Sequence, residues 1–588
     1  MLHTFLFVRF LFFACLLISS TWSLIPVGTE FTLRPISAGI CDIIKLSTGI
    51  WLNSNNQPTT IDNQGNPTED AYIIIFIESP ITQDPENFIP TSIYGSYLLS
   101  FDGKADNLIL GPGINATITN ITFNPNLFRT TAIITLYPSI SSTTTVGIAV
   151  GFFDTYRNET APVNSGITNI HLYAPLCWNY NISTLSYNIL PQLFHPSLLT
   201  SLLPFTQIRF MEWFNTNYNY SSSYNNNNLL PWESRTVYTD TLWTIPNYIR
   251  MNSISVPWET VLILYQELSL LKQQINSSII TPTTLWLNIP VAASDNYINE
   301  WLSLLLNGNI YTNNQGLPFH DGSTILYIEY GNELWLNGTE GGPGTNYMYN
   351  LQSAIDEVQN GNSNLNNDGD TNPQIWGQRL HLRRLYEISQ IIHNIFMNYP
   401  TILPNQIRLL YGSFQKYAND INQTFLWFTN TYPTVSLSSF LYGVCINSYL
   451  ISYFPSNTNL YEMYTAWFIN SDNEVPLRTS VRNVLNMYNI TGLVSYEGSP
   501  VGIAADGDNT TTSTIIEANR YGPIGDVFSY DIVNNWYHNT NVNGTAYNIY
   551  ALSSKYGPPP IFQWGIVEDL SNLSTPKYIM VENLVYEN

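Results

Sequence analysis

Hydrophobic and polar residues alternate along this chain in two textures. From residue 24 to about 185 the apolar residues form short runs, Ala71–Ile77, Gly95–Phe101, Thr131–Leu136 and Val146–Phe153, set between turn signals such as Asp102-Gly103 and Gly111-Pro-Gly. No helical period interrupts them, so this part is predicted to be an all-β sandwich. Beyond about residue 190, strand-like runs alternate with helical stretches, the signature of a parallel sheet. Strands are expected at Gln207–Phe214, Thr284–Ile289, Ile325–Tyr330, Ile407–Gly412, Gly443–Tyr449, Leu493–Glu497 and Ile561–Ile566, and helices at Trp258–Gln274, Asn296–Leu306 and Trp376–Met397. In the last helix, Trp376, Leu380, Ile388, Ile391, Ile392 and Ile395 recur at helical spacing and make one buried stripe. Seven visible strands, with an eighth missed, predict an α/β fold, a (β/α)8 TIM barrel preceded by the sandwich; a doubly wound open sheet is the competing arrangement. The polar stretches 336–374 and Tyr218–Asn228 are expected to be long loops at the end of the barrel where active sites are built.

The first residues stand apart. Arg9 precedes the apolar run Phe10–Ile18, and Thr21-Trp22-Ser23 supplies small residues for cleavage. The run is too short to span a bilayer, and no other stretch approaches 18 apolar residues. The predicted division is a signal peptide at 1–23, a β-sandwich at 24–188 and a barrel at 189–588, joined between Cys177 and Phe194. Twelve Asn-X-Ser/Thr sites, at Asn115, Asn120, Asn158, Asn181, Asn219, Asn276, Asn337, Asn422, Asn489, Asn509, Asn543 and Asn572, agree with a secreted glycoprotein. Cys41 and Cys177 lie near the two ends of the sandwich and are predicted to form a disulfide. Cys445, inside an apolar strand, is expected to be a buried free thiol.

Charge narrows the partners. The net charge is −22, and losing Arg9 with the leader makes it −23. A surface this acidic repels phosphate backbones and anionic lipid, which excludes nucleic acid and membrane surfaces as expected partners. The chain's 40 Tyr and 15 Trp suit flat ligands with apolar faces and polar edges, such as sugars. A monomer is expected.

Several chemistries are missing from the sequence: there is no HExxH, no CxxC pair, no GxxxxGK[ST] and no GxSxG. Asp368-Gly-Asp370 and Asp506-Gly-Asp508 lack the ligand series of a calcium loop and read as solvated turns, so no metal or other cofactor is expected. The strongest signal is Ile328-Glu-Tyr-Gly-Asn-Glu-Leu-Trp335, a β-rich run ending in Asn332-Glu333 where a barrel strand would exit. Leu493-Val-Ser-Tyr-Glu497-Gly is a second apolar strand ending in a carboxylate. Two Glu at the C-terminal ends of parallel strands can face each other across a barrel mouth, as glycoside cleavage with retention requires. Taken singly, each Glu reads equally as a solvated or Arg-paired strand end.

These segments carry a resemblance. Phe194-His-Pro, Ile208-Arg-Phe-Met-Glu-Trp-Phe-Asn-Thr-Asn217, Val256-Pro-Trp-Glu-Thr, Leu285-Trp-Leu-Asn-Ile-Pro290, Tyr327–Trp335, Tyr496-Glu-Gly498 and Phe562-Gln-Trp-Gly565 follow in order across about two thirds of the chain. The series resembles secreted glycoside hydrolases of the (β/α)8 clan with two catalytic Glu, a group often labelled cellulose-binding proteins. The resemblance implies that Glu333 is the acid/base, Glu497 the nucleophile, and Asn332 the partner of the sugar's 2-hydroxyl. It also implies that Arg209 and Tyr449 hold the nucleophile ionised and oriented, and that Trp564 floors the sugar site. The implied function is retaining hydrolysis of a β-linked polysaccharide or oligosaccharide. One departure stands out: the family carries His after the Pro of the Trp-x-Asn-x-Pro segment, and here Val291 follows Pro290. The alternative is therefore a catalytically inactive carbohydrate-binding or extracellular-matrix glycoprotein that keeps the barrel without turnover. His195 is read as a capping or packing residue and His320 as solvated. Trp213, Trp232 and Trp286 serve equally well as core or cleft residues.

Overall fold

In the computed structural model, residues 25–586 are described apart from 31–38, 48, 79–80, 82, 87–88, 113, 139–145, 182–185, 190–191, 215, 218–228, 244–254, 276–282, 320–323, 338–343, 362, 400–405 and 559–562. The expected signal peptide, the loop Tyr218–Asn228, His320 and the sequons Asn219 and Asn276 lie outside the described residues.

Eight parallel strands close into a barrel. They are β1 (Val27–Glu30), β2 (Gln207–Arg209), β3 (Thr284–Ile289), β4 (Leu326–Tyr330), β5 (Ile407–Ser413), β6 (Leu441–Asn447), β7 (Gly492–Gly498) and β8 (Ala546–Ile549). Each pairs with the next, and β8 returns to β1 through Gly28↔Asn548. Covered on both faces, β3 and β4 are buried almost throughout, which is why their sequences are mostly apolar. Leu285, Leu287 and Ile289 pack outward with the helices, whereas Trp286, Tyr327, Leu410, Cys445, Val494 and Tyr496 fill the inside. Also inside the barrel, the Gln207 carboxamide donates to Asn548 at 2.7 Å. Gly28 leaves room for that bond, since a β-carbon there would meet Asn548 Oδ1 at 1.8 Å.

Two expectations about the barrel are corrected. The first strand is Val27–Glu30, so the barrel is not confined to 189–588; the sandwich is inserted between β1 and β2. The eighth strand is Ala546–Ile549, not Ile561–Ile566, whose described residues instead run beside the exit of β8 through the Ile566 N–H to the Ala551 carbonyl, 2.8 Å. Both strands escaped the hydrophobic pattern because each has four residues, with polar side chains (Glu30, Asn548) inside the barrel. The stretch 336–374 is also not simply a loop, since Gly344–Gln359 is helical.

The core of the inserted unit is built from two antiparallel sheets. One orders Ala71–Glu78, Val146–Tyr156 and Lys104–Leu110; the other orders Ala116–Asn124, Arg129–Leu136, Gly95–Asp102 and Thr168–Tyr173. Ile73, Ile148 and Phe152 from the first meet Leu99, Ile134 and Leu172 from the second in one apolar core. Cys41 and Cys177 form the expected disulfide, with Cα atoms 5.6 Å apart, and Cys445 is buried and free. Among the described residues no helix is long and apolar enough to cross a membrane.

Candidate active site

The strand ends of β1, β2, β4 and β7 converge on one buried guanidinium. Arg209, at the end of β2, donates through Nη1 to Glu30 Oε2 and to Glu497 Oε1, each at 2.7 Å. Its Nη2 donates to Glu329 Oε2 at 2.9 Å and to Asn332 Oδ1 at 2.7 Å. The plane is held between aromatic rings, 5.3 Å from the Trp286 centroid and 5.1 Å from that of Tyr496. Glu329 is fixed further by Trp286 Nε1 at 3.0 Å and Asn288 Nδ2 at 2.9 Å.

Glu497 is placed by the end of β7. Its second oxygen accepts from the Tyr449 hydroxyl at 2.6 Å. Tyr449 follows β6 in a segment locked to β7, where Ser448 N–H donates to the Glu497 carbonyl at 2.7 Å and Leu450 N–H to the Ser499 carbonyl at 2.9 Å. Both carboxyl oxygens thus receive hydrogen bonds, one of them from a cation. Trp564 stands behind Tyr449, their ring centroids 4.9 Å apart, and Tyr550 lies 5.6 Å from Trp564 on the other side.

Glu333 is placed differently. The chain leaves β4 through two left-handed residues, Gly331 at φ 69° and Glu333 at φ 51°. For a residue with a β-carbon this conformation costs about 1–3 kcal/mol, strain of the kind that collects at functional sites. Here it aims the carboxyl at the Tyr496 hydroxyl, which donates to Oε1 at 2.9 Å. Burial, and after it the charge of Glu497, push the Glu333 carboxyl up to about 8. Asn332 is buried with its oxygen on Arg209 and its Nδ2 on Asn217 at 3.0 Å; Asn217 also accepts from Asn346 at 3.0 Å, at the start of the helix Gly344–Gln359.

All six residues singled out from the sequence, Arg209, Asn332, Glu333, Tyr449, Glu497 and Trp564, therefore lie in one contact network or against it. Sequence reasoning missed Glu30, Glu329, Tyr496 and Tyr550. Burial raises the carboxyl of Glu30 well above its usual range, and raises that of Glu329 as well. The other singled-out residues are structural. His195 caps the helix Pro196–Ser201, accepting the Ser197 amide, and Trp213 is a core residue stacked on Phe194. Trp286 lies inside the barrel under Arg209, while Trp232 stacks under Arg235. Asp368 pairs with Arg379, and Asp508 caps the helix Asn509–Ala518.

No family model and no curated protein matches the sequence. Among solved structures, a family 51 α-L-arabinofuranosidase from Bifidobacterium longum is similar over 67% of this chain and 68% of its own, with 11% identity and a TM-score of 0.38. A β-glucosidase from Thermotoga maritima in complex with deoxynojirimycin is similar over 66% and 84%, with 10% identity and a TM-score of 0.30. A family 5 mannosidase from Rhizomucor miehei covers 66% and 85%, with 8% identity and a TM-score of 0.29. The barrel is established by its own closed strand order and not by these likenesses.

Proposed function

We propose that the protein is a secreted, retaining glycoside hydrolase acting on a β-linked polysaccharide or oligosaccharide. The observation that carries this reading is the contrast between two carboxyls at one mouth. Glu497 is held by a guanidinium and a hydroxyl, while Glu333 is desolvated and pushed up to about 8, so it keeps its proton at neutral pH. A carboxyl that keeps its proton, beside one held by a guanidinium and a hydroxyl, divides the roles of acid and nucleophile. Glu333 donates its proton to the departing glycosidic oxygen while Glu497 attacks the anomeric carbon. In the second half, Glu333 takes a proton from water, whose oxygen displaces Glu497 from the sugar. Asn332, fixed by Arg209 and Asn217, has a second N–H for the sugar's 2-hydroxyl. Trp564, flanked by Tyr449 and Tyr550, offers the ring its aromatic floor.

One observation favours a second reading, carbohydrate binding without turnover. Val291, where the resembled family has His, is buried in the apolar cluster, and its carbonyl accepts from Tyr330 at 2.6 Å. Turnover of an activated aryl β-glycoside separates the two. Glu333→Gln should still form the glycosyl enzyme from a leaving group too acidic to need protonation, and azide should accelerate its release. Glu497→Gln should do neither. Equal, azide-insensitive rates in both variants would mean that the wrong residues are assigned, and an inert unmutated protein that still binds glycans would select the second reading.

A further inference from the structure

The seam between sandwich and barrel contains a cleft of about 730 Å³ that shares no lining residue with the barrel mouth. One wall is the sandwich, through Asp42, His171 and Tyr173; another is the barrel helix Glu259–Ile275, through Gln266, Glu267 and Leu270. The third is the segment Tyr238–Trp243, which is tied across the seam by backbone. Thr241 N–H donates to the Gln64 carbonyl at 2.8 Å, Trp243 N–H to the Lys45 carbonyl at 2.7 Å, and Lys45 Nζ to the Asp240 carbonyl at 2.7 Å. Walls joined this way form a site before any ligand arrives, so little ordering cost attends binding.

The lining selects a ligand class. Its charges are already engaged: Asp42 lies 2.7 Å from His171 Nδ1 and accepts the Leu172 amide, and Glu267 accepts the Leu193 amide at 2.8 Å. What stays open is aromatic surface, while two donors of the lining are buried and unsatisfied. Tyr238 and Tyr311 stack with centroids 4.9 Å apart, and Tyr173 stacks on His171 at 5.4 Å. The Trp243 indole N–H and the Gln192 carboxamide nitrogen are buried with no hydrogen-bond partner among the described residues. Unpaired buried donors call for oxygen acceptors, and ring faces call for apolar C–H surface. A pyranose chain has both, with no charge for the cleft to neutralise. We propose that this seam cleft is a second glycan-binding site, taking a neutral oligosaccharide across the Tyr238–Tyr311 stack. The choice of a glycan over another neutral polyol rests on the glycosidase reading.

The test is calorimetric titration of the full chain carrying both Glu333→Gln and Glu497→Gln with cellohexaose, mannohexaose and xylohexaose. Two sites should appear for at least one hexaose. Adding Tyr238→Ala or Tyr311→Ala should weaken one of them by about tenfold, the loss of one aromatic face, and leave the other unchanged. Tyr311 is 38% exposed on a surface turn, so its substitution tests the site even if Tyr238→Ala fails to fold. In the otherwise unmutated protein, Tyr311→Ala should leave turnover of a small aryl glycoside intact. Binding at a single site indifferent to Tyr311, or no binding of any hexaose, overturns the proposal. Tyr311-sensitive binding in a protein that hydrolyses nothing sustains the cleft and overturns the glycosidase reading; hydrolysis with only Tyr311-insensitive binding does the reverse.

Discussion

Arg209 inside the barrel and Arg478 on the helix Leu460–Met487 are both without exposed surface, yet they are surrounded in opposite ways. Arg478 meets one carboxylate, Asp531, through two bonds of 2.8 and 3.2 Å, and Ser471 and Tyr547 occupy the same oxygens at 2.6 and 2.9 Å. That is a hydrogen-bonded pair with its carboxylate oxygens filled, on which Glu474 acts only by charge, and its work is to join helix Leu460–Met487, the π-helix Tyr530–Tyr537 and β8. Arg209 meets three carboxyls, Glu30, Glu329 and Glu497, with Glu333 acting on the same group of charges. One cation cannot neutralise three anions in a dry interior, so protons must remain on some of them. A fold gains nothing from such an excess of acid. The proposed division of acid and nucleophile between neighbouring carboxyls does.

Replacing each arginine by Met should break the comparison most plainly. Either change strands buried acid and should cost about 3–5 kcal/mol of stability, read as a lower denaturant midpoint. Arg209→Met should also lower kcat per folded molecule by roughly 10²–10³, since a charged donor to Glu497 is gone. Arg478→Met should leave kcat of the folded fraction near that of the unmutated protein. Equal losses of kcat would mean that the two clusters do the same structural work.

The next effect is on pH. Glu333 is an acid whose folded value is raised from an ordinary 4.5 to about 8, so folding favours its neutral form. Its contribution to stability is complete below pH 4.5, declines as the pH rises, and is gone once the pH passes about 8. The proposed acid step needs that same proton, so kcat/KM for a substrate with a poor leaving group should fall about tenfold per pH unit above 8. The alkaline limb should vanish for Glu333→Gln acting on an activated glycoside. A limb that persists unchanged in that variant belongs to another group.

The same contrast explains what the sequence could be made to say. β3 was legible residue for residue, because Thr284–Ile289 is apolar on the face packed against helices and carries bulky Trp286 inside. β1 and β8 were not, because Val-Gly-Thr-Glu and Ala-Tyr-Asn-Ile turn polar side chains into the barrel where the site is built. Glu333 and Glu497 were visible because each ends an apolar run. Glu329 was passed over in the same run, although a carboxyl inside a strand buried on both faces requires a cation, and Ile208-Arg209-Phe210 showed a cation in the same setting. Glu30 gave no signal, since nothing in four residues marks a strand whose partners lie almost 180 and more than 500 positions away.

The smallest expected effect tests the charge count itself. Glu30 is fully buried, accepts from Arg209 through Oε2, and has no partner on Oε1 among the described residues. Burial raises its carboxyl well above the usual range, with Glu497 adding to the rise, so the expectation to be tested is that Glu30 keeps a proton. Gln is the neutral isostere of a protonated Glu. If Glu30 keeps its proton, Glu30→Gln should shift stability by less than about 1 kcal/mol and kcat by no more than a few-fold, whereas Glu497→Gln should remove turnover. The two can be read in one experiment, denaturant midpoint and kcat at pH 6. A loss from Glu30→Gln as large as that from Arg209→Met would show Glu30 to be ionised. The charge around Arg209 would then have to be balanced by a proton on Glu329, the remaining carboxyl that burial raises.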